Sequence, residues 1–401
     1  MSIISNIVAD LKPSQTIAIS TKAAELRAAG QDVIALSAGE PDFDTPDHIK
    51  DAAKTAIEQG QTKYTAPDGT PELKDAIIAK FQRENDLSLT RDMVMASTGG
   101  KQVLFNALKA SLNPGDEVII AAPHWVSYPD MVHLCGGTPV IVFTKAEDAF
   151  VLTSAQLEDA ITERTKWVML NSPGNPSGAV YGAEALEALA DVLRRHPHVW
   201  AMCDDMYEHL VYEGRFATLA TVAPDLADRV LTVNGVSKAY AMTGWRIGYC
   251  GGPAPLVKAM KAVQSQSTSN PSSISQAAAA AALNGPQDYI DMSVPVFQSR
   301  RDMVVSGLNA CEGVSCMNPA GAFYVFPDVS GCFGKTSAGG KHIATDEDFS
   351  LALLDEANVA LVHGTAFGTP GHVRLSYATS DENLKKALER IQGFCAGLTN
   401  G

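Results

Sequence analysis

The chain has 401 residues, 46% of them hydrophobic, and a formal net charge of -14. A chain of this length and composition can bury a large core and usually forms more than one domain. The acidic balance gives no electrostatic support to a nucleic-acid partner. Small anionic ligands would have to be held by local lysines and arginines.

The cysteines and the apolar runs indicate a cytoplasmic protein. The seven cysteines are odd in number and scattered, and they form neither a disulfide framework nor a close-spaced zinc set. We therefore expect reduced cysteines in the core. No secretory signal is visible, and no apolar run reaches the ~20 residues needed to cross a membrane, so no membrane partner is expected.

The N-terminal part predicts an arm followed mainly by helices. Residues 1–20 show no strong hydrophobic period, and the helix after them is expected to end at Gly30. Tyr64 lies between two later helices, and its simplest interpretation is a loop tyrosine that packs its ring. The predicted elements are a helix at 21–29, a strand at 33–36, a loop at 37–43 and helices at 47–59 and 71–84.

The middle of the chain alternates strands and helices. This alternation predicts a mostly parallel sheet with helices on both faces. Ligands of such sheets bind at the carboxyl ends of the strands, where this chain has polar or glycine-rich turns. Strands are predicted at 94–97, 118–122, 138–143, 167–170, 199–202 and 229–234, and helices at 101–112 and 184–195.

Several of these turns carry a group that could hold a ligand, although each also has a simpler structural explanation. Gly99 and Gly100 would leave backbone N–H groups free for a phosphate, or they could serve only to make the turn. Trp125 could stack on an aromatic ligand or pack in the core. Asn175 offers an amide in a loop that prolines and glycines fix. Asp204 ends an apolar strand, where a buried carboxylate needs a partner.

The last of these turns places a lysine beside a serine. Ser237 and Lys238 follow the final strand, and Arg246 lies between two glycines eight residues after the lysine. The amine could form a Schiff base with a phosphorylated carbonyl compound whose phosphate is bound by the hydroxyl and the guanidinium. A solvated surface lysine and arginine is the alternative, which the Ser-Lys spacing and the flanking glycines disfavour.

The C-terminal part is more helical and then alternates again. An alanine-rich helix is predicted at 274–283, Pro286 and Pro295 are expected to interrupt the next segment, and a strand is predicted at 322–326. Later predictions are a helix at 346–357, strands at 359–363 and 372–377, and a helix at 381–396. We expect a large domain at 46–290 and a smaller α/β domain formed by 1–45 together with 291–401.

Ser237-Lys238, followed by Gly244–Gly248, resembles the cofactor-lysine signature of class I and II aminotransferases. These are pyridoxal-phosphate (PLP) enzymes of fold type I. Nine motifs in chain order extend the resemblance over nearly the whole chain and bring it close to the bacterial aspartate aminotransferases of subgroup I-beta. The motifs are residues 38–43, 62–64, 99–101, 125–128, 171–178, 207–209, 237–238, 244–248 and 374–378.

The resemblance implies PLP as cofactor and gives the candidate residues their roles. Lys238 would bind it as a Schiff base and later carry the proton of the substrate α carbon. Asp204 would keep the pyridine nitrogen protonated. Tyr207 and Asn175 would hydrogen-bond the phenolic oxygen of the ring, and Trp125 would stack on the ring.

Further roles concern the phosphate and the substrate. Ser237, Arg246 and the N–H groups of residues 99–101 would hold the phosphate. Tyr64 would reach it from a partner subunit, which implies a homodimer with shared active sites. Arg374 would bind the substrate α-carboxylate as a two-pronged fork, and Gly39 would lie against the substrate, where a side chain would intrude.

One absence affects the expected specificity. No arginine occurs between Arg246 and Arg300, where other aspartate aminotransferases place an arginine for the distal carboxylate. In subgroup I-beta Lys101 substitutes for it, helped by Ser14 and Thr16 on the arm. A lysine is a point charge on a flexible stem, so we expect a broader substrate range than an arginine fork would allow.

The predicted function is therefore ping-pong transamination of L-aspartate with 2-oxoglutarate, giving oxaloacetate and L-glutamate. Some I-beta relatives also transaminate prephenate to arogenate. Lys12 lies at a position associated with that activity, although it could equally be a solvated arm residue. A fold type I β-lyase with the same cofactor residues is a further alternative. A PLP-binding transcription regulator is disfavoured by the acidic charge.

Overall fold

The structure is a computed structural model that describes residues 3–9, 11 and 15–400, with the backbone alone at 15–17. Lys12, Ser14 and the side chain of Thr16 therefore lie outside the described residues. Within the described part, no helix is long and apolar enough to cross a membrane.

Helices and strands alternate along the described chain. The helices are α1 (Asn6–Ala9), α2 (Gln15–Ala28), α3 (Asp47–Glu58), α4 (Pro71–Asn85), α5 (Gly100–Ser111), α6 (Ser127–Leu134), α7 (Ser154–Ala160), α8 (Ala183–Arg195), α9 (Leu219–Val222), α10 (Ala254–Ser265), α11 (Ser273–Asn284), α12 (Asp288–Asn309), α13 (Asp346–Ala357) and α14 (Asp381–Ala396). The strands are β1 (Ile34–Ala35), β2 (Val94–Ser97), β3 (Glu117–Ala122), β4 (Thr138–Phe143), β5 (Thr165–Asn171), β6 (Trp200–Asp204), β7 (Val230–Gly235), β8 (Gly248–Gly251), β9 (Tyr324–Val325), β10 (Lys335–Thr336), β11 (Val359–Ala360), β12 (Val362–His363), β13 (Val373–Ser376) and β14 (Thr399–Asn400).

A seven-stranded sheet with the order β2-β8-β7-β6-β5-β3-β4 forms the centre of the fold. The five strands from β7 to β4 in this order are parallel, whereas β8 runs antiparallel to both β7 and β2. Along β3, Val118 and Ile120 share a buried cluster with α5, while Ile119 packs with α8. Successive side chains of a strand point to opposite faces, so helices cover both faces of the sheet. The predicted α/β fold with a mostly parallel sheet is confirmed.

The two ends of the chain form a second packed body. A three-stranded antiparallel sheet with the order β12-β13-β9 and a parallel pair of β1 and β11 pack against α12, α13 and α14. Ile34 and Leu36 from the N-terminal segment share this buried core with Val304 and Leu375. This arrangement is compatible with a smaller domain made from both termini, whose boundaries at 45 and 291 stay a prediction.

Three sequence-based interpretations of individual elements were wrong. Pro295 lies inside α12 and does not interrupt it, because a lost N–H bond can be offset by a buried face such as that of Phe297 and Val304. The strand β8, in the middle of the sheet, was not predicted. Tyr64 is 90% exposed, so its ring does not pack within this chain. The cysteines are all free and buried, as expected.

Candidate active site

A cavity of about 350 Å³ opens at the carboxyl ends of β5, β6 and β7. It lies at this edge because strands of a parallel sheet deliver the turns that follow them to one side. The predicted site residues that line it are Gly39, Gly100, Lys101, Trp125, Asn175, Asp204, Tyr207, Ser237, Lys238, Arg246 and Arg374. Residues from eight of the nine motifs, all but the one at 62–64, therefore meet in one space.

Lys238 projects into this cavity from the turn after β7. Its Nζ donates a hydrogen bond to the carbonyl oxygen of Gly39 and lies 5.9 Å from the ring centres of Tyr207 and Phe323. Burial lowers the pKa of Lys238 to about 8, and the nearby guanidinium of Arg374 acts in the same direction. An amine with such a pKa is partly neutral near physiological pH, as a nucleophile requires.

Asp204 ends β6 and presents a buried carboxylate on the cavity wall. The Tyr128 hydroxyl donates to its Oδ2 at 2.7 Å, and the Met206 N–H donates to its Oδ1 at 3.4 Å. Burial raises the pKa of Asp204, although these two hydrogen bonds and the Lys238 charge oppose the effect. A buried carboxylate held in this way is well suited to bind a cationic ring nitrogen that enters the cavity.

Three glycines allow β8, the N-terminus of α5 and a guanidinium to converge beside the cavity. Gly99 caps α5 with φ of 86°, and a Cβ there would collide with the guanidinium of Arg246. A Cβ on Gly248 would collide with the backbone of Gly99 and Gly100. Free N–H groups at a helix N-terminus, beside Arg246 and Ser237, form an anion-binding cradle.

Arg374 is a buried cation on another wall. Its Nη1 donates to Asn175 Oδ1 at 2.9 Å and its Nη2 to the Ser37 carbonyl oxygen at 2.7 Å. The guanidinium carbon lies 4.6 Å from the ring centre of Tyr324 and 5.0 Å from that of Phe367. The buried Nε has no hydrogen-bond partner among the described residues. Burial lowers the pKa of Arg374, but a guanidinium stays protonated in proteins. An oriented cation with an unused donor is therefore present for a carboxylate.

Lys101 supplies a further cation near the mouth of the anion cradle. Its Nζ lies 4.6 Å from the ring centre of Trp125. Burial lowers the pKa of Lys101, and the charge of Arg246 adds to the effect. Together with Arg374, this lysine enables the cavity to hold a ligand that carries two carboxylates.

The structure also brings in residues that the sequence did not identify. Tyr324 lines the cavity, and its hydroxyl lies 2.8 Å from the Tyr207 hydroxyl. It also abuts Gly39, where an added Cβ would lie 2.9 Å from the Tyr324 hydroxyl oxygen. Tyr128, which hydrogen-bonds Asp204, was part of the motif at 125–128 but had no role assigned. Other lining residues of this kind are Leu104, Val126, Ser127, Asn171, Met206 and Thr243.

Some predicted residues lie outside this cavity. Tyr64 lines a separate surface groove with Thr268 and residues 270–274. Gly99 lies beside the cavity as the N-cap of α5. Lys12, Ser14 and the side chain of Thr16 cannot be placed, since they are outside the described residues.

Comparison with known proteins identifies the family of this chain. The family model "Aminotransferase class I and II" matches residues 31–391. An aspartate/prephenate aminotransferase of Cereibacter sphaeroides is 62% identical over 400 residues, which are 100% of both chains. An aspartate aminotransferase of Rhizobium meliloti is 58% identical over 393 residues, 98% of this chain and 96% of the relative.

Solved structures agree as well. A Rhizobium meliloti aspartate aminotransferase has a TM-score of 0.96 at 56% identity, with 100% of both chains covered. The Thermus thermophilus aspartate aminotransferase with maleate has a TM-score of 0.92 at 47% identity, covering 98% of this chain and 100% of the other. On the family model, the relatives and the fold together, this chain belongs to the class I and II aminotransferases.

Proposed function

We propose that the protein is a PLP-dependent aminotransferase that uses L-aspartate and 2-oxoglutarate, forming oxaloacetate and L-glutamate by a ping-pong exchange. The observation that carries the proposal is the convergence of four groups in one cavity: an amine with a lowered pKa, a buried carboxylate, an anion cradle and a buried guanidinium. The names of two relatives that are 62% and 58% identical support aspartate as a substrate.

The residues present fit PLP. The Lys238 amine can react with the PLP aldehyde. The Asp204 carboxylate can pair with the pyridine nitrogen, and Trp125 can stack on the ring. The cradle at Ser237, Arg246 and the α5 N-terminus matches its phosphate, and a Cβ on Gly99 or Gly248 would collide with the groups that form it. When bound, PLP withdraws electrons from the α carbon of the amino acid.

The chain's own residues would then direct the chemistry. Lys238 would take the proton from the substrate α carbon and deliver it to the cofactor carbon, as a general base and then a general acid. Asp204, whose buried carboxylate would gain a charged partner there, would hold a proton on the ring nitrogen. Tyr207 and Asn175 would orient the ring by hydrogen bonds to its phenolic oxygen. Arg374 would fix the α-carboxylate so that the α proton faces Lys238.

Substrate choice would depend on Lys101. Its ammonium would bind the distal carboxylate of aspartate, with Ser14 and Thr16 contributing from the arm. Prephenate is a second candidate substrate, favoured because the 62% identical relative is named an aspartate/prephenate aminotransferase, and Lys12 would take part in that activity. A β-lyase activity would require a leaving group on the substrate and would release ammonia without a keto acid.

A homodimer would complete the site. Tyr64 is 90% exposed, and Ile3 and Val8 near the N-terminus are 99% and 47% exposed. These exposed side chains are available for contact with a second copy, which the resemblance to subgroup I-beta implies. We propose that Tyr64 reaches the partner's phosphate cradle, and that the enzyme acts in the cytoplasm with domains at 46–290 and at 1–45 plus 291–401.

The test is the absorbance spectrum of the PLP-loaded protein before and after addition of L-aspartate without a keto acid. We expect the cofactor band to change to that of its aminated form, with oxaloacetate released in proportion to enzyme. An unchanged spectrum would show that aspartate is not the donor, and continuous turnover without a keto acid would favour a lyase. Lys238→Ala is the control, and it should abolish turnover while the phosphate cradle still retains PLP.

A further inference from the structure

A fully buried lysine lies behind the turn that carries two of the proposed catalytic groups. Lys80, near the C-terminal end of α4, has 0% of its side chain exposed. Its ammonium forms an ion pair with Glu208, the residue that directly follows Tyr207. Nothing in the proposed chemistry uses either charge. Taking two ions out of water is costly, so this pair calls for a functional explanation.

Further hydrogen bonds make the pair part of a closed network between α4 and the turn. Lys80 Nζ donates to Asn85 Oδ1 at 2.6 Å, and Asn85 Nδ2 donates to Glu208 Oε2 at 2.8 Å. Lys80 Nζ also lies 3.5 Å from the carboxylate of Glu84, which is 2.9 Å from His209 Nε2. The network therefore ties two consecutive residues of the turn at 205–210, Glu208 and His209, to one helix.

The turn and the strand end before it concentrate acidic side chains. Asp204 ends β6, Asp205 and Glu208 belong to the turn, and the Glu208 N–H donates to the Asp205 carbonyl oxygen at 3.0 Å. Asp205 is buried, and one of its carboxylate oxygens has no hydrogen-bond partner among the described residues. Burial raises the pKa of Asp205 well above its usual value, with Glu208 and Asp204 adding to the rise and Lys80 opposing it.

The position of Lys80 in this network argues against a bound metal ion. Ligand atoms of Glu84, Glu208 and His209 lie within 4.8 Å of one another, which is compatible with a cation site. The ammonium of Lys80 already occupies the place of that cation, because it contacts Glu208 and is 3.5 Å from Glu84. Burial raises the pKa of Glu208, but the charges of Lys80 and His209 outweigh this, so its pKa lies below the ordinary value.

We propose that Lys80 is a positioning residue of the active site, which holds the turn of Asp204 and Tyr207 through Glu208 and balances the negative charge of that turn. The inference rests on the proposed function, because its effect is measured at the cofactor. Other charged or titratable groups that face the network are Glu84 and Arg83 on α4, His209 on the turn, Tyr240 after Lys238 and Tyr249 on β8.

The experiment titrates the PLP-loaded enzyme with pH and records the midpoint at which the cofactor's absorption band changes. This midpoint reports the proton at the Lys238 nitrogen. Lys80→Met leaves an excess negative charge, which favours that proton, so the midpoint should rise. Glu208→Gln leaves an excess positive charge, so the midpoint should fall. A unit charge about 10 Å away shifts a pKa by about one unit at an effective dielectric constant of about 20, so we expect shifts of up to about one pH unit.

Opposite shifts distinguish this role from a merely structural one, because general damage to the fold would move both midpoints the same way. The matched control is Lys74→Met, which breaks another buried ion pair of α4, with Asp68 at 2.5 Å, and should leave the midpoint unchanged. Midpoints in both test variants that are equal to wild type, or shifted in one direction, would overturn the inference.

A neutral double variant keeps the test decisive if the single variants do not fold. Lys80→Met/Glu208→Gln removes the link between α4 and the turn without changing the net charge. We expect a wild-type midpoint but a kcat lowered by about tenfold or more, because the turn is no longer held, and a wild-type kcat would overturn the proposal. A wild-type protein that shows no cofactor band at all would instead refute the proposed function, and the inference with it.

Discussion

Replacing Arg374 by leucine tests whether the buried guanidinium binds the substrate carboxylate. The side chain is 3% exposed, and its two hydrogen bonds go to uncharged acceptors, Asn175 Oδ1 and the Ser37 carbonyl oxygen. Burying a charge without a charged partner is costly to the fold. A group kept in this state is expected to meet its counter-ion in a ligand.

The magnitude follows from the donors that remain available. A carboxylate bound by this fork would receive two charge-assisted hydrogen bonds of about 1.5–3 kcal/mol each. Their loss corresponds to about 3–6 kcal/mol, or about a hundredfold to ten-thousandfold in kcat/KM. Because the fold gains little from an unpaired buried charge, we expect the free energy of unfolding to change by less than about 2 kcal/mol.

The assay compares kcat/KM for L-aspartate and L-alanine, which share the α-carboxylate but differ in the distal one. Arg374→Leu should lower both values by a similar factor, whereas Lys101→Met should lower the value for aspartate alone. Arg301→Leu is a matched control, because Arg301 is also 3% exposed but is paired with Glu213 at 2.9 Å. We expect it to reduce stability and leave both substrates unaffected.

A loss confined to aspartate in Arg374→Leu would refute the proposed role, because the α-carboxylate is common to every amino acid. An equal loss in Arg301→Leu would also count against it, since the effect would then follow the removal of any buried arginine. Activity with aspartate close to that of the unmodified enzyme would refute the reasoning from unpaired buried charge altogether.

Three further expectations concern the cofactor side of the cavity. Burial lowers the pKa of Lys238 to about 8. The rate at which the cofactor-free protein binds PLP should therefore rise with pH and level off above about pH 8. A rate that keeps rising up to pH 10.5, the ordinary pKa of a lysine, would contradict this. Gly248→Ala should weaken PLP binding and destabilise the fold by about 1–3 kcal/mol, because the added Cβ would displace the α5 N-terminus. PLP binding is measured by dialysis and absorbance. An unchanged affinity would refute the proposed phosphate cradle. Tyr324→Phe removes one hydrogen bond to Tyr207, worth about 0.5–1.5 kcal/mol, so kcat should fall by up to about tenfold, and a wild-type kcat would show that this contact is dispensable.

Much of the fold could be predicted because local patterns coincide with the final elements. The apolar runs between polar turns matched β3 and β4 closely, and the helices α8 and α14 began and ended within a residue of their predicted bounds. The prediction missed β8, whose Gly-Tyr-Cys-Gly sequence has weak strand propensity. Its place between β2 and β7 depends on tertiary contacts of Gly248, which a local pattern does not record.

The site residues likewise include some that local sequence identifies and some that only tertiary contacts reveal. Asp204 and Lys238 could be identified because each follows a strand whose carboxyl end points toward the ligand edge. Tyr324 could not, because its contact with Tyr207 joins residues 117 positions apart. Lys80 appears in the sequence as an ordinary helix lysine, and only its complete burial against Glu208 distinguishes it. Motifs and strand ends therefore predict groups that face the cavity, whereas groups that support them from behind need the three-dimensional structure.

The distribution of charge also explains how an acidic protein can bind acidic substrates. Although the net charge is -14, the cavity gathers Lys101, Lys238, Arg246 and Arg374. The guanidinium groups of Arg374 and Arg246 both contribute to the lowered pKa of Lys238, so without bound anions these cations disfavour one another. A phosphate and two carboxylates would remove that repulsion, and the remaining positive charge would be too local to attract other polyanions. Anion binding would thus rest on four cations that line one cavity, while the net charge of the chain stays negative.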